Sequence, residues 1–335
     1  MKNIAINGFG RIGRLVFRQI FDLKMDKELN IVAINDLTDA VTLAHLLKYD
    51  SAQGRFNGKV EAKDGNLIVN GKTIRICAER DPQNLPWGEL KIDVVVESTG
   101  FFTTKEGAEK HIKAGAKKVA ISAPATGGIK TIVYAVNDDT LDKNDTIISG
   151  ASCTTNCLAP VVNAIDKAFK ITSGLMTTVH SYTGDQKLVD APHSDLRRAR
   201  AGAVNIIPTS TGAAAAVGLV LPHLAGKLDG MAMRVPTITG SVVDLTFEVD
   251  AKNVTVAQIN DSVKKMASAS LEYVTDPIVS TDVIGSSAGS LFDAELTRVI
   301  TNKDGKQMFK VIAWYDNETS YVSQFVRTLD KFSKL

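Results

Sequence analysis

One short stretch near the start of the chain limits the fold more than any other. The strand-like run Ile4-Ala5-Ile6 leads into Gly8-Phe9-Gly10-Arg11-Ile12-Gly13. A helical repeat follows with Ile12, Leu15, Val16 and Ile20 on one face, and a second run, Ile31 to Ile34, leads to Asp36. A G-x-G-x-x-G pattern alone is weak, but strand, glycines, helix, strand and acid in this order fit the first βαβ unit of a dinucleotide-binding fold. Gly8 permits the tight turn, Gly10 lets a pyrophosphate approach the backbone, and Gly13 lets helix and strand pack closely. The helix N-terminus offers free N–H groups and partial positive charge. Asp36 suits ribose hydroxyls and repels a 2′-phosphate. The alternative is a glycine-rich turn with a surface aspartate.

The same grammar continues to about residue 150. Further short runs occur at Asp93 to Glu97, Lys118 to Ser122, Ile132 to Val136 and Thr146 to Ser149. Such lengths suit strands covered on both faces. Thr103 and Glu106 read as a capping box for a helix that Gly115 ends. Beyond residue 150 the pattern changes. Val243, Leu245, Phe247 and Val249 alternate with Asp244, Thr246 and Glu248, as in a strand with one wet face. Met308 to Tyr315 reads as another strand, Thr255 and Gln258 as a capping box, and Ser320 to Lys334 as an amphipathic helix. The expected architecture is α/β: a doubly wound parallel sheet (Rossmann) domain plus an α+β catalytic domain with a mostly antiparallel sheet. The expected boundaries are 1–151 with 317–335 for the dinucleotide-binding domain and 152–316 for the catalytic domain.

Composition sets outer limits. The 335 residues suffice for two domains at roughly 150 each. With 39 basic and 37 acidic residues the formal charge is +2, so no basic excess is available to hold a nucleic-acid backbone as the main partner. Three cysteines, Cys77, Cys153 and Cys157, are too few and too unevenly placed for a disulfide framework. The opening MKNIAINGFG lacks the regions of a signal peptide, and no apolar run is long enough to span a membrane. The expected location is cytoplasmic.

The second chemical signal is Ser149-Gly150-Ala151-Ser152-Cys153-Thr154-Thr155-Asn156-Cys157. Leu158, Val161, Val162 and Ile165 follow at helical spacing. Cys153 therefore falls at a helix N-terminus, where dipole and free N–H groups stabilise a thiolate. Both cysteines could equally be small core residues. No metal is expected, because C-x₃-C without further ligands is not a zinc site. Of five histidines, His180 ends an apolar strand before a glycine-containing loop, a place that suits catalysis or a structural role. The basic run Arg197-Arg198-Ala199-Arg200 precedes Pro208-Thr209-Ser210-Thr211-Gly212. It reads as a solvated or interface charge run, or as a source of phosphate-clamping guanidinium with hydroxyl and glycine donors. Arg234 adds a further cation.

INGFGRIGR, ASCTTNCLAP, HSYTGDQ, RRARAGAVNIIPTSTGAA and WYDNE, in this order and spacing, resemble the phosphorylating glyceraldehyde-3-phosphate dehydrogenase family. The likeness runs from Asn3 to about Leu329. It implies NAD as cofactor, with glyceraldehyde 3-phosphate and inorganic phosphate as substrates and 1,3-bisphosphoglycerate as product. Cys153 and His180 are the implied catalytic pair. Arg11 and Ile12 are implied in the pyrophosphate cradle, Asp36 at the adenosine ribose, Arg80 and Ser122 along the adenine and nicotinamide sides, and Asn317 at the nicotinamide carboxamide. Thr183 and Arg234 are implied at one phosphate site, and Ser152, Thr154, Thr211 and Gly212 at the other, with Arg198 in support. The stretch from about Tyr182 to Ile206 resembles a loop that reaches a neighbouring subunit's cofactor site, implying a homotetramer. Within it, Pro192 accompanies NAD specificity. The alternatives are erythrose-4-phosphate dehydrogenase, or a surface binding protein on the same scaffold.

Overall fold

In the computed structural model, which describes residues 1–335, the chain divides into two units. The first comprises Met1–Tyr134, Asp138–Ala151 and Phe325–Leu335, and the second Ala135–Asn137 and Ser152–Gln324.

The first unit holds a nine-stranded sheet. Its strands are β1 (Lys2–Asn7), β2 (Leu29–Asn35), β3 (Val60–Lys63), β4 (Asn66–Val69), β5 (Lys72–Cys77), β6 (Val94–Glu97), β7 (Lys118–Ile121), β8 (Lys130–Thr131) and β9 (Ile147–Ser149), in the order β8-β9-β7-β6-β1-β2-β5-β4-β3. Every pairing from β8 to β5 is parallel, and β4 and β3 extend the sheet antiparallel. The strand VVVE of β6 is buried along its whole length, as expected for β-branched residues covered on both faces. Because β2 and β6 flank β1 on opposite sides, the chain reverses its winding there. Open α/β sheets bind ligands in the crevice beyond the strand C-termini at such a point.

Helices α1 (Arg11–Asp22), α2 (Ala40–Lys48) and α3 (Lys105–Lys113) connect these strands. No side chain caps the N-terminus of α1 at Gly10. Two local expectations are corrected. The cap of α3 is Thr104, not Thr103: its hydroxyl accepts from Gly107 N–H at 3.1 Å, and glycine at that position cannot complete a capping box. The run Ile132 to Val136 is not a strand. Pairing stops at Thr131, and Ala135 adopts φ 61° where the chain turns, although Ile132 and Val133 stay buried. Strands β3, β4 and β5 carry no signal among the runs singled out above.

The second unit holds a seven-stranded sheet. Its strands are β10 (Ile171–Ser181), β11 (Ile207–Ser210), β12 (Leu228–Val235), β13 (Ser241–Val249), β14 (Leu271–Val274), β15 (Ser290–Thr301) and β16 (Gln307–Tyr315), in the order β11-β12-β10-β13-β16-β15-β14. Only the β10–β12 and β14–β15 pairings are parallel. In β13, Val243, Leu245 and Phe247 are buried while the residues between them face outward, which matches the period-2 pattern. Helix α4 (Cys153–Phe169) is buried from Thr154 to Asp166, and α5 (Val256–Lys264) opens with the Thr255–Gln258 capping box. Helix α6 runs Thr319–Lys334, and its residues from Phe325 onward group with the first unit. There Lys118 donates to Phe332 O at 3.0 Å, and Lys331 pairs with Asp138 at 2.8 Å. No helix is long and apolar enough to cross a membrane.

Candidate active site

At the C-terminal ends of β1, β2 and β6 the first unit opens a crevice of about 600 Å³, whose lining includes Asn7, Gly8, Gly10, Asp36, Arg80 and Thr99. The glycines have separable duties. Gly8 has φ +89°, and a Cβ there would lie 2.8 Å from Thr99 N. A Cβ on Gly13 would lie 2.1 Å from Gly8 O, so α1 can approach β1 only without it. A Cβ on Gly10 would meet nothing within 4 Å, so the space over the first turn of α1 is open to a ligand. The carboxylate of Asp36 is held from both sides, accepting from Phe9 N–H at 2.8 Å and Thr38 N–H at 2.9 Å. These features fit a nicotinamide dinucleotide: an open helix N-terminus for the pyrophosphate and a fixed acceptor for the ribose. The Arg11 guanidinium is engaged in a two-point ion pair with Asp50 at 2.8 and 3.1 Å. Ser122 lies one residue beyond β7, where its N–H donates to Glu97 O at 2.9 Å, and it does not line the crevice. Arg80 and Asp36 are distant in sequence, yet both line it.

The second unit assembles a thiol site. Ala151, at φ 59°, turns the chain into α4, and the Ser152 hydroxyl caps the helix by accepting from Thr155 N–H at 3.0 Å. Cys153 is the first helical residue, as its sequence context predicts. Its Sγ lies 3.4 Å from Nε2 of His180, at the end of β10. Arg234 stands beside His180 in the parallel β10–β12 register, with Nη1 2.8 Å from His180 Nδ1. The same Nδ1 lies 2.7 Å from Ser181 O. One ring nitrogen cannot accept from a guanidinium and donate to a carbonyl at once, so these contacts belong to opposite tautomers. The Tyr315 hydroxyl joins the elements from below, 2.8 Å from Thr154 Oγ1 on α4 and 2.9 Å from Thr178 Oγ1 on β10. Its ring meets the His180 ring edge-on at 5.9 Å.

Burial dominates the electrostatics. It pushes the Cys153 thiol up, against the pull of Arg234 and the Thr154 hydrogen bond. It pushes His180 down to about 3; Arg234 adds to this shift, and the bond to Ser181 opposes it. The Arg234 guanidinium is a permanent cation that favours a thiolate here. Cys157, one turn along α4, is pushed up to about 12 by burial.

The remaining predicted residues are dispersed. Thr183 sits in the loop after β10, with its N–H donating to Gln186 Oε1 at 2.8 Å. Arg198 is committed to protein partners: Thr209 at 2.5 Å, Asp185 at 3.1 Å and Ser210 O at 3.2 Å. Thr211 caps its own turn by accepting from Ala213 N–H at 3.2 Å, and a Cβ on Gly212 would meet open space. The Thr154 hydroxyl faces Tyr315, while its helix-terminal N–H is turned to the Cys153 sulfur. Asn317 accepts at Oδ1 from Ser181 Oγ, Gly240 N and Ser241 Oγ at 2.8 to 3.1 Å, so its amide nitrogen is the end left for another partner. Sequence reasoning missed Tyr315. The available signal was its place as the last inward residue of the strand that runs into WYDNE.

A glycine-turn dinucleotide crevice in one unit and a thiol, imidazole and guanidinium cluster in the other define a class: NAD-linked dehydrogenases that work through a cysteine. Comparison with known proteins supplies the family. Residues 2–105 match the family described as glyceraldehyde 3-phosphate dehydrogenase, NAD binding domain, and residues 152–317 match its C-terminal domain. Among curated relatives, the glyceraldehyde-3-phosphate dehydrogenase of Clostridium pasteurianum is 59% identical over 337 residues, covering 100% of this chain and 99% of its own. That of Streptococcus pyogenes is 56% identical over 335 residues, covering 99% and 98%. The chain belongs to the glyceraldehyde-3-phosphate dehydrogenase family.

Proposed function

We propose that this chain oxidises D-glyceraldehyde 3-phosphate to 1,3-bisphosphoglycerate, with NAD and inorganic phosphate as co-substrates, through covalent chemistry at Cys153. The observation that carries this reading is the 3.4 Å approach of Cys153 Sγ to His180 Nε2 beside Arg234. Nε2 of His180 accepts the Cys153 thiol proton as the sulfur attacks the aldehyde carbon and forms a C–S bond, and it passes that proton to the thiohemiacetal oxygen. The same nitrogen takes the hydroxyl proton as the carbon is oxidised to the thioester. Bound NAD supplies the hydride acceptor. Inorganic phosphate then adds to the thioester carbonyl, and the C–S bond breaks to release the acyl phosphate and regenerate the thiolate. The Cys153 backbone N–H, at the start of α4, stabilises the oxyanion in both additions.

On this reading, 1–151 with 317–335 is the dinucleotide-binding domain and 152–316 the catalytic domain. Gly8, Gly10, Arg11, Ile12 and Gly13 cradle the pyrophosphate, Asp36 holds the adenosine ribose, Arg80 and Ser122 serve the two ring ends, and Asn317 holds the carboxamide. Thr183 and Arg234 hold the substrate phosphate, while Ser152, Thr154, Thr211 and Gly212 hold the attacking phosphate. Arg198 braces the loop that carries these groups. The working form is a cytoplasmic homotetramer. Supporting it, Leu188, Val189, Leu196, Val204 and Ile206 are each 68% to 90% exposed, an apolar stretch that suits burial by another copy.

The test is an assay of NAD reduction with glyceraldehyde 3-phosphate, with and without phosphate, beside erythrose 4-phosphate. Turnover that needs phosphate and prefers the triose is expected. Equal or faster turnover of the tetrose overturns the substrate assignment. Light scattering that gives the mass of a monomer overturns the tetramer.

A further inference from the structure

A buried polar chain in the first unit takes no part in the chemistry above. Trp87, His111, Glu97, Asn7 and Asn35 form it, none more than 5% exposed. The Trp87 indole N–H donates to His111 Nδ1 at 3.0 Å, which leaves Nε2 as the nitrogen bearing hydrogen. That nitrogen lies 3.0 Å from Glu97 Oε2, and Asn7 Nδ2 donates to the same oxygen at 2.6 Å. The other Glu97 oxygen accepts from Thr99 N–H at 2.8 Å and from the Thr99 hydroxyl. Asn7 Oδ1 in turn accepts from Asn35 Nδ2 at 2.7 Å. Asn35 closes on the backbone of Glu79, accepting from its N–H at 2.8 Å and donating to its carbonyl at 2.9 Å.

The direction of these bonds has one origin. A side-chain amide has a donor end and an acceptor end, so fixing one end fixes the other. Glu97 is the acceptor that turns the Asn7 nitrogen inward. The Asn7 oxygen then receives Asn35, and Asn35 so oriented clasps Glu79. Asn7, Asn35, Glu79 and Thr99 all line the crevice and adjoin Gly8, Asp36, Arg80 and Ser98 in sequence.

We propose that Glu97 is a positioning residue for NAD binding, setting through one buried hydrogen-bond chain the geometry of the three strand ends that rim the crevice. This inference rests on NAD binding in that crevice. In Glu97→Gln an amide NH₂ replaces one oxygen and must face either the donors of Asn7 and His111 or those of Thr99. One end of the chain then breaks, and a buried donor left unmatched is costly.

The experiment uses the full-length enzyme: calorimetric NAD binding and steady-state kinetics for wild type, Glu97→Gln, Asn35→Ala and Asp36→Gly. In Glu97→Gln, Kd and KM for NAD are expected to rise about tenfold, the order that one or two lost buried hydrogen bonds carry. At saturating NAD, kcat and the rate of Cys153 alkylation stay within about twofold of wild type. A residue that merely supports the fold would lower the melting temperature while leaving the NAD Kd unchanged, and that result overturns the proposal. Should Glu97→Gln not fold, Asn35→Ala removes only the clasp on Glu79, and an unchanged Kd there overturns it equally. Asp36→Gly separates the two levels. If Asp36→Gly also leaves NAD binding unchanged, the crevice reading fails. If it alone weakens binding, only the role of Glu97 fails.

Discussion

At the crevice of the first unit the groups offered to a ligand are held in place beforehand: the glycine turn, the start of α1, the Asp36 carboxylate gripped by two N–H groups, and strand ends whose side chains satisfy one another. At the thiol site of the second unit the working surface is side chains from α4, β10, β12 and β16, and they are not mutually satisfied. His180 Nδ1 has two incompatible neighbours, and the buried Nε of Arg234 has no partner. The difference fits the two tasks. A binding cradle gains from being fixed in advance, because every group already ordered lowers the cost of association. A site that makes and breaks bonds has to serve several charge states in turn, so its groups have alternative partners within reach.

Substituting Cys153 tests this separation with the largest expected effect. Cys153→Ser should lower phosphate-dependent oxidation at least about 10⁴-fold, since no covalent intermediate forms. The calorimetric NAD Kd should stay at its wild-type value. A parallel loss of NAD affinity would show that the two regions are not independent.

Next in size is the base. His180→Asn should lower kcat by roughly 10²–10⁴-fold, the usual worth of general acid–base help. Because Arg234 is the cation beside the sulfur, alkylation of Cys153 near neutral pH should persist in this variant and fall in Arg234→Leu. The reverse order would make His180 imidazolium the charge partner instead.

Cofactor choice sharpens the account of the cradle. NAD should exceed NADP by at least ~100-fold in kcat/KM, from like-charge repulsion at Asp36. The sequence beside Asp36 contains no arginine, but the fold brings Arg80 into the same crevice. Asp36→Gly should therefore raise use of NADP, and adding Pro192→Ser should raise it further. Adding Arg80→Ala to Asp36→Gly should take the gain away. Comparable wild-type kcat/KM values for the two cofactors would refute the assignment of Asp36.

The smallest effect is a stability change. Burial holds His180 near 3, whereas the unfolded chain binds a proton at about 6.5. The unfolded state thus holds more protons between these values, so the contribution is complete above about pH 6.5 and is lost as pH falls towards 3. At pH 5 the deficit is about 2 kcal/mol, and urea unfolding of His180→Asn should show a shallower decline from pH 8 to pH 5 than wild type. Equal slopes would mean that His180 is not held neutral.

Much of this was legible from spacing. The β1–α1–β2 unit, the start of α4 at Cys153, the alternation of β13 and the Thr255 cap each depend on residues only a few positions apart. The failures were local competitions. Thr104 won the cap from Thr103 because Gly107 N–H was within reach, and the run from Ile132 lost its strand because the chain turns at Ala135 after two paired residues. Neither outcome is visible in hydrophobic pattern, which reports burial and not pairing.

The sequence alone determined the two kinds of fold, the family, and which cysteine begins a helix, because period, capping and glycine placement act through the backbone within one or two turns. Only the tertiary structure decided which cation stands at the thiol, which tyrosine ties α4 to β10, and that Glu97, Asn7 and Asn35 form one directed chain. Those relations join residues 28 to 161 positions apart. Hydrogen bonds and charges of this kind act over a few ångströms of space, and no local rule of the chain sets which distant residues will share them.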